Sequence, residues 1–268
     1  MKDRNLTNTE SLGKVRNFFV VEGYDQLPQT FIRNDFKRMP EKQNWELLDI
    51  LEYKEKFLDP NLKGIKIALS AMAFLVRYFL KIAPLLFSYK YRAVIHAILI
   101  FSSIRRENRA ITSATYLKGH FLGKCALICY FFHLSRQSKF CVVCHGSDLY
   151  ASPASFDRVL KMAERIECVT NFGKGFVFGR LGNLALGRTY VTRNAISQTT
   201  QSQDQRSGKG VVGISVCRLV PQKDLEFCLR VVSELKDKLD EPLLLYIVGD
   251  GPLRTNLEGL AGKLEIDG

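Results

Sequence analysis

The stretch that decides the fold is residues 211–258, VVGISVCRLVPQKDLEFCLRVVSELKDKLDEPLLLYIVGDGPLRTNLE. It begins with the β-branched run Val211–Val216, which is typical of a buried parallel strand. Apolar residues then recur at helical spacing from Leu225 to Leu235. A second apolar run, Leu243–Val248, ends at a glycine-rich turn. This order of segments predicts a βαβα unit.

The loop after the first of these strands carries two cations, Arg218 and Lys223. Open α/β sheets bind ligands beyond the carboxyl ends of their strands, and helix N-termini attract anions. A guanidinium and an ammonium at this spacing can hold one diphosphate. Spacing alone leaves open that both are ordinary solvated surface residues.

These residues carry a resemblance to family 4 glycosyltransferases. CRLVPQKDL and the later IVGDGP are similar to the family patterns G-R-L-V-x-x-K-G and V-G-D-G-P. The resemblance implies that Arg218 and Lys223 hold the diphosphate of a nucleotide-sugar donor. It also places Gly249 and Asp250 in the donor site.

Two positions in this segment depart from the family pattern, because Cys217 and Asp224 stand where glycine is usual. Asp224 either brings a carboxylate close to the phosphates or caps the helix that follows.

A second motif follows the predicted strand Lys139–Cys144. FCVVCHGSDLY resembles the family motif H-G-x-D, which implies that His145 contacts the donor sugar near the reacting centre and that Asp148 supports the loop. His120 is similar to a further cleft-lining histidine of enzymes that build bacterial exopolysaccharides. A single histidine at such a position is also compatible with a hydrogen-bonded turn residue.

Two further segments have both a functional and a structural interpretation. Asn171 begins a predicted helix, where family members carry a cleft-lining Ser or Asn, but it is also a good helix cap. Thr30, Phe31 and Ile32 are similar to an S-x-T-F-I stretch of colanic-acid-type transferases. The same residues equally fit a capped amphipathic helix.

Alternating periodicity predicts a series of strands and helices in the first part of the chain. The strands are expected at 17–21, 111–116, 139–144, 166–170 and 189–193, and the helices at 91–103, 122–134 and 159–163, while 45–50 fits either type. Cys141 and Cys144 invite a zinc interpretation, but on one strand they face opposite sides, so we expect packed thiols and no metal.

The basic residues are concentrated before the donor segment. Residues 61–140 contain thirteen Lys or Arg and one acid, Glu107, within a chain of net charge +12. This bias predicts a phosphate-rich partner, and the long apolar faces favour an anionic membrane surface over nucleic acid. Residues 65–87 are apolar enough to suggest a transmembrane helix, but Lys66, Arg77 and Lys81 interrupt them. We expect a cytoplasmic protein in which this segment is either a core helix or one that touches the inner membrane face.

Length and pattern together predict an α/β chain of two Rossmann-like domains facing across a cleft. We expect an N-terminal acceptor-side domain at 1–196, a polar linker at 197–209 and a partial donor-binding domain at 210–268. The resemblance implies the GT-B fold with its second domain incomplete, because the family motif E-x7-E is expected some tens of residues beyond 268. We therefore expect a truncated form of low activity.

The implied reaction moves a hexose from a nucleotide diphosphate sugar to a glycan or lipid-linked acceptor, with retention of configuration and without a cofactor. The alternative from another class is a non-catalytic peripheral membrane or scaffold protein on the same fold. A nucleotide-sugar epimerase is disfavoured, because the turn after the first strand lacks the pattern G-x-G-x-x-G.

Overall fold

The structure is a computed structural model that describes residues 17–24, 30–39, 44–54, 62–88, 90–107, 116–194 and 210–266. Contacts divide the chain into two units, Met1–Gln198 and Thr199–Gly268. The predicted linker at 197–209 lies outside the described residues, and the predicted domain boundaries stay predictions.

The first unit is built on a six-stranded parallel sheet. Its strands are β1 (Asn17–Val21), β2 (Trp45–Asp49), β3 (Tyr116–His120), β4 (Lys139–Cys144), β5 (Arg165–Cys168) and β6 (Thr189–Val191), in the order β2-β1-β3-β4-β5-β6. Its helices are α1 (Thr30–Lys37), α2 (Leu51–Lys54), α3 (Leu62–Leu86), α4 (Tyr91–Glu107), α5 (Lys124–Arg136), α6 (Ser147–Tyr150), α7 (Asp157–Met162) and α8 (Asn171–Leu181).

The central strands are buried almost throughout, as expected for a parallel sheet with helices on its faces. The main core joins the sheet to α3, α4 and α5, and at its centre the rings of Phe74, Phe101 and Phe131 contact one another. A smaller cluster of Phe19, Val21, Ile32 and Phe36 packs α1 on β1. This second cluster fixes the helix that covers the candidate site.

The long apolar helix α3 bends at Tyr78, whose φ of −115° and ψ of 18° are not helical. It also contains Pro84, which cannot donate to the carbonyl one turn earlier. By length and composition Gly64–Leu86 could cross a membrane, with a mean hydropathy of 1.6 and 22% of the apolar window buried. That it does not cross one stays a prediction.

Some predicted boundaries change in the first unit. Residues 45–50, which the pattern left ambiguous, form the strand β2 at their first five positions. The prediction that a strand at 111–116 ends at Tyr116 is wrong, because β3 runs from Tyr116 to His120. Residues 111–115 lie outside the described part. His120 therefore belongs to the strand rather than following it.

The second unit has the predicted βαβα order, with β7 (Val211–Val216), α9 (Leu225–Leu235), β8 (Leu243–Val248) and α10 (Arg254–Lys263). The two strands are parallel and pair in register from Val211 with Leu243 to Val216 with Val248. A small core of Leu219, Leu225, Leu229 and Leu257 joins the loop after β7 to the helices.

The expectation that β7 is buried is wrong. Ile214 and Val216 are exposed, as are their neighbours Tyr246 and Val248 on β8. Side chains alternate between the two faces of a sheet, and the small core with α9 and α10 covers one face of this pair. The α/β prediction with two Rossmann-like units, the second represented by two strands, is confirmed.

Candidate functional site

The strand order places a topological switch point between β1 and β3. From β1 the chain passes to β2 on one side and then to β3 on the other side of β1. Such a reversal leaves a crevice beyond the carboxyl ends of the strands, where ligands bind in open α/β sheets. His120 is the last residue of β3 and His145 directly follows β4. Both predicted histidines therefore lie at the edge where a ligand is expected.

The structure brings these two histidines together. His120 Nδ1 lies 3.0 Å from His145 Nε2. Their rings are stacked, with centroids 5.2 Å apart and planes 24° apart. His120 is buried and His145 is half-buried. The pair is a hydrogen-bonded unit, in contrast to the isolated turn histidine that the sequence left open.

A partly buried ionic network extends from His120 into the sheet. Lys118 Nζ lies 3.0 Å from Asp35 Oδ2 and 3.1 Å from Glu167 Oε2. The same oxygen of Asp35 lies 3.2 Å from His120 Nε2. Lys118 and His120 are two residues apart on β3, so both side chains point to the face that α1 covers. Arg165 Nε adds a 2.8 Å bond to Glu167, so that each carboxylate has a cationic partner.

Burial keeps both imidazoles neutral at neutral pH. Burial lowers the pKa of His145 to about 3; the charge of Lys118 acts in the same direction, and the carboxylate of Asp35 opposes it. Burial also lowers the pKa of His120, although Asp35 opposes the shift. For Asp35, burial raises the pKa, but the contacts with His120 and Lys118 prevail and lower it to about 2.

Lys118 stays charged for the opposite reason. Burial alone would lower its pKa, but the nearby carboxylates of Glu167 and Asp35 outweigh that effect and raise it. The charged Lys118, held between the carboxylates of Asp35 and Glu167, therefore lies next to a pair of neutral imidazoles.

This arrangement assigns the hydrogens on the two rings. A carboxylate only accepts hydrogen bonds, so the nitrogen of His120 that faces Asp35, Nε2, is the protonated one. Its N–H is not well aligned with the carboxylate, so the contact is electrostatic rather than a regular hydrogen bond. Nδ1 of His120 is then an acceptor and receives the Nε2–H of His145. His145 Nδ1 keeps its lone pair; this atom is buried and has no hydrogen-bond partner among the described residues.

Two aromatic rings enclose the imidazole of His145. The centroid of Phe121 lies 4.5 Å from it and that of Phe31, on α1, lies 4.9 Å from it. Phe121 has a φ of 68°, which is uncommon for a residue with a side chain. Strained backbone of this kind persists where the surroundings fix it, as at ligand sites. A histidine acceptor between aromatic rings suits a molecule with hydroxyl groups and an apolar face, such as a sugar.

Asp148 holds the two loops of this site together. Its Oδ1 accepts the 2.9 Å bond from the amide of His145, and its Oδ2 accepts the 2.7 Å bond from the amide of Leu122. Burial raises the pKa of this carboxyl, an effect that the two amide donors oppose. The side chain thus links the loop after β4 to the loop after β3.

The second unit brings its two strand-end loops into close contact. The amide of Cys217 donates to Val248 O at 3.0 Å, and the amide of Leu219 donates to Asp250 O at 2.9 Å. Gly249 has a φ of 150°, and a Cβ built on it would lie 1.9 Å from Cys217 O. At Gly251 a Cβ would lie 2.4 Å from Leu219 O. Both glycines of the G-D-G turn are therefore required by the approach of the two backbones.

Both predicted donor-binding cations are exposed in the loop that these contacts fix. Arg218 follows β7, and Lys223 ends a short 3-10 turn, Pro221–Lys223, immediately before α9. Asp250 is also exposed, and its Oδ1 accepts a 2.8 Å bond from the amide of Gly251. A cavity of about 150 Å³ lies beside these loops, lined by Leu219, Leu229, Ile247, Gly249, Arg254, Leu257, Glu258 and Ala261.

Neither Asp224 nor Asn171 caps its helix through its side chain, so the capping interpretation is wrong for both residues. Asp224 occupies the N-cap position of α9 with a φ of 47°, but its side chain makes no capping bond, because a left-handed residue does not direct its side chain as an extended N-cap does. Asn171 is the first residue of α8 and is exposed. The cap is Thr170, whose Oγ1 accepts a 3.0 Å bond from the amide of Gly173.

The sequence pattern did not indicate four residues of the first site, namely Asp35, Lys118, Glu167 and Phe121. One signal was present: Lys118 directly follows Leu117, Glu167 lies between Ile166 and Cys168, and buried charges occur mainly in pairs. Their pairing depends on the order of β3, β4 and β5, which local pattern does not provide. Thr30 lies in α1, and nothing is described of its side chain.

Comparison with known proteins found one family model and solved structures of similar fold. Residues 197–268 match the family model described as glycosyl transferases group 1. The apo form of the lipopolysaccharide outer core galactosyltransferase WaaB is similar over 94% of this chain and 66% of its own, with a TM-score of 0.56 and 15% identity. A mutant of TarM from S. aureus, in complex with fondaparinux, alpha-GlcNAc-glycerol and UDP, has a TM-score of 0.47 and 11% identity, over 64% of this chain and 35% of its own. No curated protein matches the chain.

The chain thus spans 66% and 35% of the lengths of these two structures. The likeness to WaaB shows the fold alone. The chain has the GT-B fold, and its residues 197–268 carry the match to glycosyl transferases group 1.

Proposed function

We propose that this protein is a glycosyltransferase that moves a hexose from a nucleotide diphosphate sugar to a hydroxyl of a glycan or lipid-linked acceptor, with retention of configuration. The observation that carries the proposal is the loop of Arg218 and Lys223, which lies at the carboxyl edge of β7 and β8 within the segment that matches glycosyl transferases group 1. The family match supports transfer of a glycosyl group. The hexose, the acceptor class and the stereochemistry are our proposal.

In this proposal Arg218 and Lys223 bind the diphosphate of the donor. Negative charge accumulates on the diphosphate as the bond to the sugar breaks, and fixed cations that stabilise such charge are among the largest contributions to catalysis. The contacts between the two loops hold the backbone of this segment before the ligand arrives, so less ordering is required on binding. No cofactor takes part in the proposal.

We further propose that His145 contacts the sugar and that Asp148 holds the loop that carries it. The hydrogen assignment leaves His145 Nδ1 as an acceptor, and a sugar hydroxyl is a matching donor. The nitrogen is buried, so this contact requires movement of the surrounding side chains. His120 has the supporting role of fixing which nitrogen of His145 carries the hydrogen. Asn171 is exposed at the start of α8, and we propose that it lines the surface of the first unit on which the acceptor binds.

Binding of UDP and GDP tests the role of the cations. Isothermal titration of the full chain is compared with the variant Arg218→Ala/Lys223→Ala, and we expect the affinity for the preferred nucleotide to fall at least about 10-fold, because two charge-assisted contacts are lost. The matched control, Arg230→Ala/Lys263→Ala, removes two exposed cations from α9 and α10 and should leave the affinity unchanged. Equal affinities of wild type and the loop variant would contradict the proposal.

Transfer itself is tested with UDP- and GDP-hexoses and a glycan acceptor, with the anomeric configuration of the product read by NMR. His145→Asn should lower the transfer rate while nucleotide binding persists. A product of inverted configuration would contradict retention. A chain that binds no nucleotide but binds membranes would favour the non-catalytic alternative.

A further inference from the structure

Helix α3 presents an apolar face to solvent. Its most exposed large side chains include Leu69 at 65%, Val76 at 73% and Leu80 at 85% of full accessibility. Ile65, Met72, Phe79 and, just after the helix, Phe87 are exposed as well. Contiguous apolar patches on a protein surface mark sites of protein or membrane contact.

The opposite side of α3 packs on the main core. Ala71, Phe74, Ile82 and Leu85 are buried there, and Phe74 contacts the rings of Phe101 and Phe131. A helix that keeps one side packed on a folded domain cannot be surrounded by lipid as a spanning helix is. Its exposed side therefore has to meet its partner lengthwise, in the plane of a surface.

Positive charge follows one border of the exposed face. Lys66, Arg77 and Lys81 are exposed and, at spacings of eleven and four residues, lie along one side of the helix. The neighbouring helix α4 adds exposed Arg92 and Arg106. Within the described parts of α3 and α4, Glu107 is the single acidic residue.

A basic cavity lies at the last turn of α3. It has a volume of about 370 Å³ and is lined by Pro84, Ala154, Ser155, Asp157, Arg158, Lys161 and Met162. Arg158 and Lys161 are exposed, while the carboxylate of Asp157 is paired with Arg180. The Ser155 hydroxyl is buried and has no partner among the described residues. Two cations and an unpaired hydroxyl fit a phosphate group.

We propose that α3 binds the surface of an anionic lipid bilayer, with its exposed apolar face between the head groups and the acyl chains and with Lys66, Arg77 and Lys81 at the lipid phosphates. Long basic side chains can reach the head groups while their stems lie along the apolar layer. This inference goes beyond the proposed function and does not depend on it.

Charge distinguishes this partner from the other occupants of an apolar face. In a symmetric dimer the same patch of each copy meets its equivalent, and within the described parts of α3 and α4 this patch offers its three cations a single acidic residue, Glu107. A spanning orientation would bring the same three charges into the hydrocarbon, where each is costly. An anionic bilayer surface complements both the apolar face and its basic border.

Flotation with lipid vesicles tests the apolar part of the proposal. The full chain is mixed with vesicles of phosphatidylcholine that contain phosphatidylglycerol. The variant Leu69→Gln/Val76→Gln/Leu80→Gln should bind at least about 10-fold more weakly, because three exposed apolar side chains no longer enter the bilayer. The control Leu184→Gln/Leu186→Gln/Phe227→Gln changes three side chains of similar exposure elsewhere and should bind as wild type does. Circular dichroism verifies that both variants are folded.

The basic border is tested with a charge-matched pair of variants. Lys66→Gln/Arg77→Gln/Lys81→Gln should weaken binding to the anionic vesicles about 100-fold at low salt, since each of the three cations near such a surface contributes about a fivefold factor in affinity. Lys139→Gln/Arg230→Gln/Lys263→Gln removes the same charge from other exposed positions and should have little effect. Wild-type binding should also fall with added salt and be weaker on vesicles of phosphatidylcholine alone.

Four outcomes would overturn the proposal. They are no binding of wild type to anionic vesicles, equal binding by the α3 variants, resistance of the bound protein to alkaline carbonate extraction, and a dimer that the Leu69 variant converts to monomer. The third would indicate a spanning helix, and the fourth a contact between two copies of the chain.

Discussion

His120 Nδ1 and His145 Nε2 lie 3.0 Å apart and join the end of β3 to the loop after β4. The hydrogen of this bond belongs to His145, because Asp35 faces the other nitrogen of His120. The nitrogen-15 shifts of the imidazoles should therefore show both rings protonated at Nε2 and unprotonated at Nδ1. An Nδ1–H on either ring would contradict this assignment.

The neutral histidine pair predicts that the protein loses stability on mild acidification. In the folded state burial lowers the pKa of His145 to about 3 and also lowers that of His120. The unfolded chain takes up a proton on each ring near pH 6.5, and the folded chain does not. Stability thus falls as the pH decreases below about 6.5, by up to about 1.4 kcal/mol per pH unit for each histidine.

Urea unfolding between about pH 7 and about pH 5 measures this slope. Asp35 does not contribute in this range, because its pKa is lowered to about 2 and its stabilisation is lost only as the pH falls from its ordinary value of 3.8. In the variant His145→Gln the pH dependence of the unfolding free energy should be weaker, by the amount that corresponds to about one fewer proton taken up on unfolding. An unchanged slope would show that His145 binds its proton equally in both states.

Replacing Asp35 should disturb the ionic network and the histidine pair together. Asp35→Asn leaves Lys118 with one carboxylate partner, Glu167, and removes the negative charge that holds the hydrogen on His120 Nε2. We expect a loss of about 1–3 kcal/mol in unfolding free energy, measured with urea. Asp240→Asn, at an exposed position in the second unit, is the control. Equal stability of the two variants would mean that the network contributes nothing.

The close approach of the two loops in the second unit makes Gly249 intolerant of a side chain. In Gly249→Ala the new Cβ would meet Cys217 O, and its φ of 150° is unsuited to alanine. We expect the free energy of unfolding of this unit to fall by about 2–4 kcal/mol. Hydrogen exchange of the β7 and β8 amides measures this loss. At Gly259, within α10, a Cβ meets nothing within 4 Å. Gly259→Ala should stabilise the helix slightly, so a similar loss in both variants would contradict the explanation.

The cap of α8 provides a smaller test. Thr170→Ala removes the bond to the amide of Gly173 and should lower the free energy of unfolding by about 1 kcal/mol. Thr255→Ala, at an exposed position of α10, should change stability little. If Asn171→Ala had the larger effect, Asn171 rather than Thr170 would be the stabilising residue.

The sequence was most informative where structure is local. The strands Val211–Val216 and Leu243–Val248 have the predicted bounds, because polar residues and glycines flank each apolar run. The exposure of Ile214 was not predictable, since burial depends on what covers the sheet. The contact of Asp35 with Lys118 joins α1 to β3 across more than eighty positions, and only the packed fold reveals it.

The loop contacts of the second unit also explain which departures from a glycine-rich pattern are tolerated. Cys217 offers only its main chain to the facing loop and has an ordinary φ, so a side chain there is neutral for the backbone. Asp224 adopts a φ of 47°, a conformation that glycine enters without strain and that aspartate tolerates. The two positions therefore differ in what the backbone asks of them: position 217 accepts a side chain without backbone strain, whereas position 224 favours glycine, asparagine and aspartate.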